Sequence, residues 1–238
     1  FNYNMRAIVV KSYIGFIILV LLLTFVIMVY CREYVIWIKP LVIAALLVPT
    51  ALLILPIFNP WDTVRFASCL ISLVTIFSIA VFYIFKDTLK IFISTCLLPL
   101  VIILADTYSN NPLMKVSILS YDPIIGGRFY GIGNEYMGFL LGTTIVGTTA
   151  LIDCYRDRAE LFKRINVVIY AIVLATLMLP SLGTNVGGTM AAFFGFGSAT
   201  LLLFKGKISK KDVVALACLL LIFLMALFIY DSMRPTET

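Results

Sequence analysis

Two glycine-rich segments contain most of the residues in this chain that suit ligand binding. The first is YDPIIGGRFYGIGNEYMG at residues 121–138, and the second is PSLGTNVGGT at residues 180–189. Together they hold eight of the fourteen glycines. Glycine lets backbone N–H groups approach a ligand closely, and clustered N–H groups favour anions. The segments therefore predict an anion-binding site built largely from backbone.

Each segment leads directly into an apolar run, so each is expected to precede a membrane helix. A helix N-terminus has unsatisfied N–H groups and a partial positive charge, which makes it a site for phosphate or carboxylate. Arg128 is the only basic residue in either segment, and its planar guanidinium suits the same anions; pairing with a nearby carboxylate is its alternative role. The candidate binding residues are Gly126, Gly127, Arg128, Tyr130, Gly131, Gly133, Asn134, Thr184, Asn185, Gly187 and Gly188.

Catalytic chemistry has few candidates, because the chain has no histidine. Ser-His-Asp catalysis and histidine metal sites are excluded, and neither a metal site nor a cofactor is predicted. A general base would be a carboxylate, with Asp122 and Glu135 as candidates. Glu135 has the alternative of pairing with Arg128 or capping a helix. Whether the chain is an enzyme stays open.

Helix caps are expected at the ends of both segments. Asn134 or Glu135 is expected to cap the fifth helix, and Thr184 or Thr189 the seventh. Asn185 is a candidate ligand contact, with a left-handed turn as its alternative.

Composition predicts the elements that position these segments. Of the 238 residues, 62% are hydrophobic and 13% charged, and the mean hydropathy is +1.09. A soluble domain has about 25% charged residues, so a soluble or disordered chain is excluded. Continuous apolar runs indicate helices rather than a barrel. The prediction is an all-α polytopic membrane bundle, with spans at Tyr13–Tyr30, Leu41–Phe58, Ala67–Phe85, Ile91–Ala105, Met137–Ile152, Ile165–Pro180, Met190–Phe204 and Val213–Tyr230.

Residues 1–238 are expected to form a single integral-membrane domain, and the start at Phe1 suggests a piece of a longer protein. The connection 106–136 is expected to be a structured outer loop. The fourth, sixth and seventh spans are short, so they either continue into the loops or end within the membrane. Three prolines are expected to kink helices, Pro49 and Pro56 in the second and Pro99 in the fourth. Small residues are expected to pack the fifth helix against the seventh, namely Gly138, Gly142, Ala191, Gly195 and Ala199.

The distribution of charge predicts the orientation. Eight spans divide the loops into two sets, one with twelve Lys and Arg and six acids, the other with six of each, so the net charge of +6 lies on one side. Basic loops stay in the cytoplasm. Both termini and both glycine-rich segments are then extracytoplasmic. Anionic lipid accounts for the basic loops, and no nucleic-acid partner is predicted.

Over residues 117–235, the two segments and the DSMRP sequence at residues 231–235 resemble a multi-pass region of large, poorly characterised bacterial membrane proteins. That region often adjoins an alkaline-phosphatase-superfamily domain. The resemblance implies a bacterial plasma membrane location and an extracytoplasmic phosphatase-like partner domain that acts on phosphate-bearing envelope material. It transfers no catalytic residue. The related segments often have an acid where this chain has Asn185, which argues against a mechanism that needs an acid there.

Three functions fit these features. The first is a membrane module that binds an anionic, phosphate-bearing lipid or lipid-linked envelope substrate at the extracytoplasmic face, serving a phosphatase-like or transferase-like domain. The second is a transporter or channel for a small anion or metabolite, although the span centres lack the ionisable residues that ion-coupled transporters usually have. The third is a passive anchor or scaffold, which leaves the glycine-rich segments unexplained. Membrane lipids are the expected partners, and the oligomeric state is not predicted.

Overall fold

The computed structural model describes residues 3–60, 62–120, 131–179 and 181–232. These ranges contain eight α-helices and no strand. The helices are α1 Tyr3–Tyr30, α2 Val35–Ile54, α3 Thr63–Ile84, α4 Thr88–Tyr108, α5 Asn134–Cys154, α6 Ala159–Met178, α7 Val186–Lys205 and α8 Lys210–Ser232. The predicted all-α class is confirmed, and each predicted span corresponds to one helix.

The helices have the length and composition of membrane spans. Within the described ranges, seven of them, α1 to α7, are long and apolar enough to cross a membrane, and α8 has 23 residues. The three short spans continue into the flanking sequence, because α4 has 21 residues and α6 and α7 have 20 each. About 20 residues cross a bilayer. The chain is therefore a multi-pass membrane protein.

Contacts between helix ends show which ends lie together. The Lys39 Nζ donates to the Thr88 Oγ1 at 3.4 Å, which joins the starts of α2 and α4. The Tyr108 hydroxyl lies 3.3 Å from the Thr176 Oγ1, which joins the ends of α4 and α6. We call the first end, where α2, α4, α6 and α8 begin, the basic end. The opposite end, where α3, α5 and α7 begin, is the glycine-rich end.

The bundle packs around α4 and α5, which share its most extensive helix contact. The centre is filled by fully buried apolar side chains from α2, α4, α5 and α6, among them Leu53, Ile103, Leu140 and Val173. By contrast, α1 exposes most of its large side chains, such as Leu21 and Phe25. Such exposure is stable only in an apolar solvent, which agrees with a lipid surface.

Prolines end or weaken α2, and hydroxyl groups from other elements compensate. Proline lacks an N–H, so it leaves the carbonyl four residues earlier without its helical donor. Pro49 frees the Ala45 carbonyl, which accepts a hydrogen bond of 3.4 Å from the Tyr13 hydroxyl of α1. Pro56 was expected inside the second helix, but α2 ends at Ile54 and Pro56 lies in the 3-10 turn that follows. The proline itself is the reason, because it cannot extend the α-helical bonding.

Pro56 also frees the Leu52 carbonyl, which accepts a hydrogen bond of 3.0 Å from the Ser117 hydroxyl. Ser117 lies 2.6 Å from the buried Tyr136 hydroxyl of α5. This hydroxyl pair connects α2, the loop after α4 and the first turn of α5. The break in α2 therefore helps to position the start of α5.

We expect Ser117→Ala to destabilise the protein by about 1–2 kcal/mol, because it leaves the buried Leu52 carbonyl without its donor. Unfolding by sodium dodecyl sulfate titration in mixed micelles measures the change. The control is Ser94→Ala, since the Ser94 hydroxyl bonds only carbonyls of its own helix, those of Lys90 and Ile91. Equal stability of the two variants would contradict the bridging role of Ser117.

The small residues of α5 do not pack as expected. A Cβ added at Gly138 or Gly142 would meet no atom within 4 Å beyond its own helix backbone, and both glycines are exposed. Gly147 makes the close contact instead, against Cys96 and Leu97 of α4, where a Cβ would come within 2.9 Å of both side chains. The sequence shows the spacing of small residues but not the rotation of a helix about its axis.

Candidate functional site

The N-termini of α5 and α7 lie side by side and point in the same direction. A Cβ on Gly188 would lie 2.6 Å from the Met137 Cγ, and one on Gly195 would lie 3.4 Å from the Ile145 Cδ1. The second pair is about two turns further along both helices. The two helices are therefore parallel neighbours, as expected, and Gly188 is needed where they approach most closely.

The backbones of the two glycine-rich segments are directly joined. The Ile132 N–H donates to the Gly183 carbonyl at 2.8 Å. Gly131 has φ +80°, and a Cβ there would lie 2.2 Å from the Gly183 oxygen. Gly183 in turn donates to the Thr176 carbonyl at 2.8 Å, and a Cβ on Gly183 would lie 2.5 Å from that oxygen. Glycine at positions 131 and 183 is therefore required for this contact.

We call the contact of Gly131 and Ile132 with Gly183 the joint. The side chain of Asn185 stabilises it. Its Oδ1 accepts from the Gly188 N–H at 2.7 Å, which caps α7. Its Nδ2 donates to the Ile132 carbonyl at 2.9 Å and to the Asn134 Oδ1 at 3.2 Å. Only 2% of the residue is exposed. The amide oxygen therefore caps α7 within the second segment, and the amide nitrogen donates to two oxygens of the first segment.

The predicted helix caps are wrong at both helices. Gly133 is the N-cap of α5 and Asn134 is its first residue. Asn185 caps α7 with extended backbone at φ −119°, whereas Thr184 takes the left-handed conformation at φ 43°. The reason is the joint, because the Asn185 N–H donates to the Leu177 carbonyl at 2.9 Å and fixes where α7 can begin.

Four exposed residues beside the joint belong to the first turns of the two helices, namely Asn134, Glu135, Val186 and Gly187. In the described part of the chain no side chain caps α5, and in α7 the cap occupies the Gly188 N–H. Two helix N-termini, each with a partial positive charge, therefore lie next to each other with their first residues exposed. Glu135 lies in the first turn of α5, where the helix dipole favours a carboxylate.

The loop after α4 supports the joint from one side. Asp106, which is 5% exposed, accepts hydrogen bonds from the Leu113 N–H at 2.8 Å and the Met114 N–H at 2.9 Å. Asp106 therefore organises the loop that follows it. Ser117 and Tyr136, which the sequence did not identify, then connect this loop to α2 and α5. The signal for them in the sequence was the pair of prolines, Pro49 within α2 and Pro56 just after it, that frees carbonyls of α2.

Several predicted site residues lie outside the described residues: Asp122, Gly126, Gly127, Arg128 and Tyr130. In sequence they directly precede Gly131, which is part of the joint. Among the residues that are described, no group of three or more Cys, Asp or Glu side chains is placed to hold a metal ion. The exposed polar groups in the first turns of α5 and α7 are thus backbone N–H groups, the Asn134 amide and the Glu135 carboxylate, and the loop after α4 adds the exposed cation Lys115.

Comparisons with protein-family models, with curated proteins and with solved structures give no match to this chain.

Proposed function

We propose that this chain is a membrane module that binds an anionic, phosphate-bearing lipid or lipid-linked envelope substrate at its glycine-rich end. The observation that carries the proposal is the joint between the two segments, which holds the N-termini of α5 and α7 side by side with the first two residues of each helix exposed. Each N-terminus contributes about half a positive charge. Two parallel N-termini in contact suit a phosphate group better than one.

Arg128 is the charged partner in this proposal. It lies three positions before Gly131, whose backbone contacts Gly183. A guanidinium on so short a connection can reach an anion bound at the helix ends. Bidentate contact with phosphate then supplies the directional part of the binding, and the two helix dipoles supply the rest.

The orientation belongs to the same proposal. The loop set with the +6 excess is the one at the basic end, so that end faces the cytoplasm by the positive-inside rule. The glycine-rich end and both termini then face outward in a bacterial plasma membrane. There the site would present lipid-linked phosphate to an extracytoplasmic phosphatase-like domain, which is the partner that the sequence resemblance implies.

The direct test is the variant Arg128→Ala. We expect the purified chain in mixed micelles to bind phosphatidic acid at least tenfold more weakly, because a charge-assisted bond contributes about 1.5–3 kcal/mol. Phosphatidylcholine with the same acyl chains is the reference lipid. Lys115→Ala is the matched control, since Lys115 is an exposed cation of the same loop.

Undiminished binding by Arg128→Ala would sink the proposal, and so would equal losses in both variants. Flux of a small anion through reconstituted liposomes, with no selective binding of phosphatidic acid, would favour the transporter hypothesis instead.

A further inference from the structure

A cavity lies at the basic end, remote from the joint. It has a volume of about 540 Å³ and is lined by residues of α1, α2, α3 and α4. Pockets that take small molecules measure roughly 300–1,000 Å³. The walls are mostly apolar and include Thr24, Ile38, Val42, Phe82 and Phe92. We call this cavity the basic-end groove.

Apart from Thr24 of α1, the polar residues of the groove come from the starts of α2 and α4. Lys39 and Thr88 both line it, and their side chains are in contact at 3.4 Å. Within the described part of the chain the ion pairs join other residues, and none includes Lys39. The ammonium therefore has one weak neutral partner and no ion-pair partner among the described residues. It lines a cavity whose walls are mostly apolar.

Asp87 is the one acid that lines the groove. Its carboxylate accepts a hydrogen bond of 2.8 Å from the Leu89 N–H and caps α4. Its charge is thus directed at the helix N-terminus, where the dipole favours it. Two exposed lysines flank Asp87 in the sequence, Lys86 directly before it and Lys90 three positions after it. The local balance is therefore positive.

We propose that the basic-end groove binds one anionic phospholipid of the adjacent leaflet, with an acyl chain between the apolar walls and the head-group phosphate on Lys39 and Thr88. The acyl chain contributes little selectivity, because the surrounding bilayer is as apolar as the walls of the groove. The head group determines the selectivity, since an ammonium without an ion-pair partner gains most from a head group with net negative charge, which has no cation of its own to compete for the phosphate. The site should therefore distinguish anionic from zwitterionic lipids that have the same chains.

Native mass spectrometry of the full chain in detergent tests this, with dioleoylphosphatidylglycerol and dioleoylphosphatidylcholine as probes. We expect the wild type to retain one phosphatidylglycerol in clear preference to phosphatidylcholine. Lys39→Ala should reduce that retention about tenfold, and Lys39→Arg should restore it. Val42→Trp should lower the retention of phosphatidylglycerol by filling the groove.

The matched control is Lys90→Ala, an exposed cation of the first turn of α4 that does not line the groove. The proposal is overturned if Lys90→Ala reduces retention as much as Lys39→Ala, or if Val42→Trp has no effect. Displacement of the lipid by equimolar glycerol 3-phosphate would assign the site to free phosphates and overturn it as well. None of these variants touches the glycine-rich end, so the result is independent of the function proposed above.

Discussion

Gly131→Val is expected to destabilise the protein by about 4 kcal/mol and to abolish binding of phosphatidic acid at the glycine-rich end. Two effects add. A β-branched residue is strained at φ +80°, which costs on the order of 1–3 kcal/mol. Its Cβ would also lie 2.2 Å from the Gly183 oxygen, and relieving such an overlap costs about 1–3 kcal/mol more. Unfolding in mixed micelles gives the stability change.

The clash arises from the Cβ itself, so Gly131→Ala should show most of the same loss. Gly138→Ala is the control on the neighbouring helix, because a Cβ there would meet nothing within 4 Å beyond its own helix backbone. It should be neutral or stabilising by up to about 1 kcal/mol, since alanine is the better helix former. If Gly131→Ala proved as stable as Gly138→Ala, the result would contradict the close approach of Gly131 to the Gly183 backbone.

The second large effect is expected at Asn185. Asn185→Ala removes the cap of α7, which is worth about 1 kcal/mol. It also leaves the Ile132 carbonyl without its side-chain donor, at about 1–3 kcal/mol. A total loss of about 3 kcal/mol, measured by the same unfolding assay, would be accompanied by weaker phosphatidic acid binding, because the two helix ends are no longer tied together.

Asn185→Asp separates the two parts of this effect. The carboxylate still accepts from the Gly188 N–H but cannot donate. Its second oxygen would replace the Nδ2, which in the wild type lies 2.9 Å from the Ile132 carbonyl oxygen, so two acceptors would face each other. We therefore expect it to remain clearly destabilised. Asn134→Ala loses one part-buried contact of 3.2 Å and should cost less than about 1 kcal/mol. An aspartate variant with wild-type stability would show that the joint does not need the amide donor.

The positions of the helices were predictable because their causes are local. Backbone hydrogen bonds in lipid must close within a segment, so a continuous apolar run of sufficient length becomes a helix whatever surrounds it. The predicted run Ile91–Ala105 illustrates the remaining error. α4 extends from Thr88 to Tyr108 because Asp87 caps its start and polar residues continue its last turn. Apolar content alone does not show where such a helix ends.

The contact between the two glycine-rich segments was predictable only in outline. Eight glycines in two segments indicated a shared, backbone-built site, and the structure joins Gly131 to Gly183 there. The role of Asn185 was missed, because its partners Ile132 and Asn134 are about fifty positions away in the sequence. Nothing local distinguishes it from Thr184 or Thr189 as the cap.

By itself, the sequence determined the membrane class, the eight helices and the separation of charge between their ends, because hydropathy and charge act residue by residue. Tertiary structure alone decided which glycines contact a neighbouring element and which side chain caps α7. It also decided which carbonyls accept hydrogen bonds from the hydroxyls of Tyr13 and Ser117. These features depend on the rotation of each helix about its axis and on pairs of residues far apart in the chain. Both are fixed only when the helices pack.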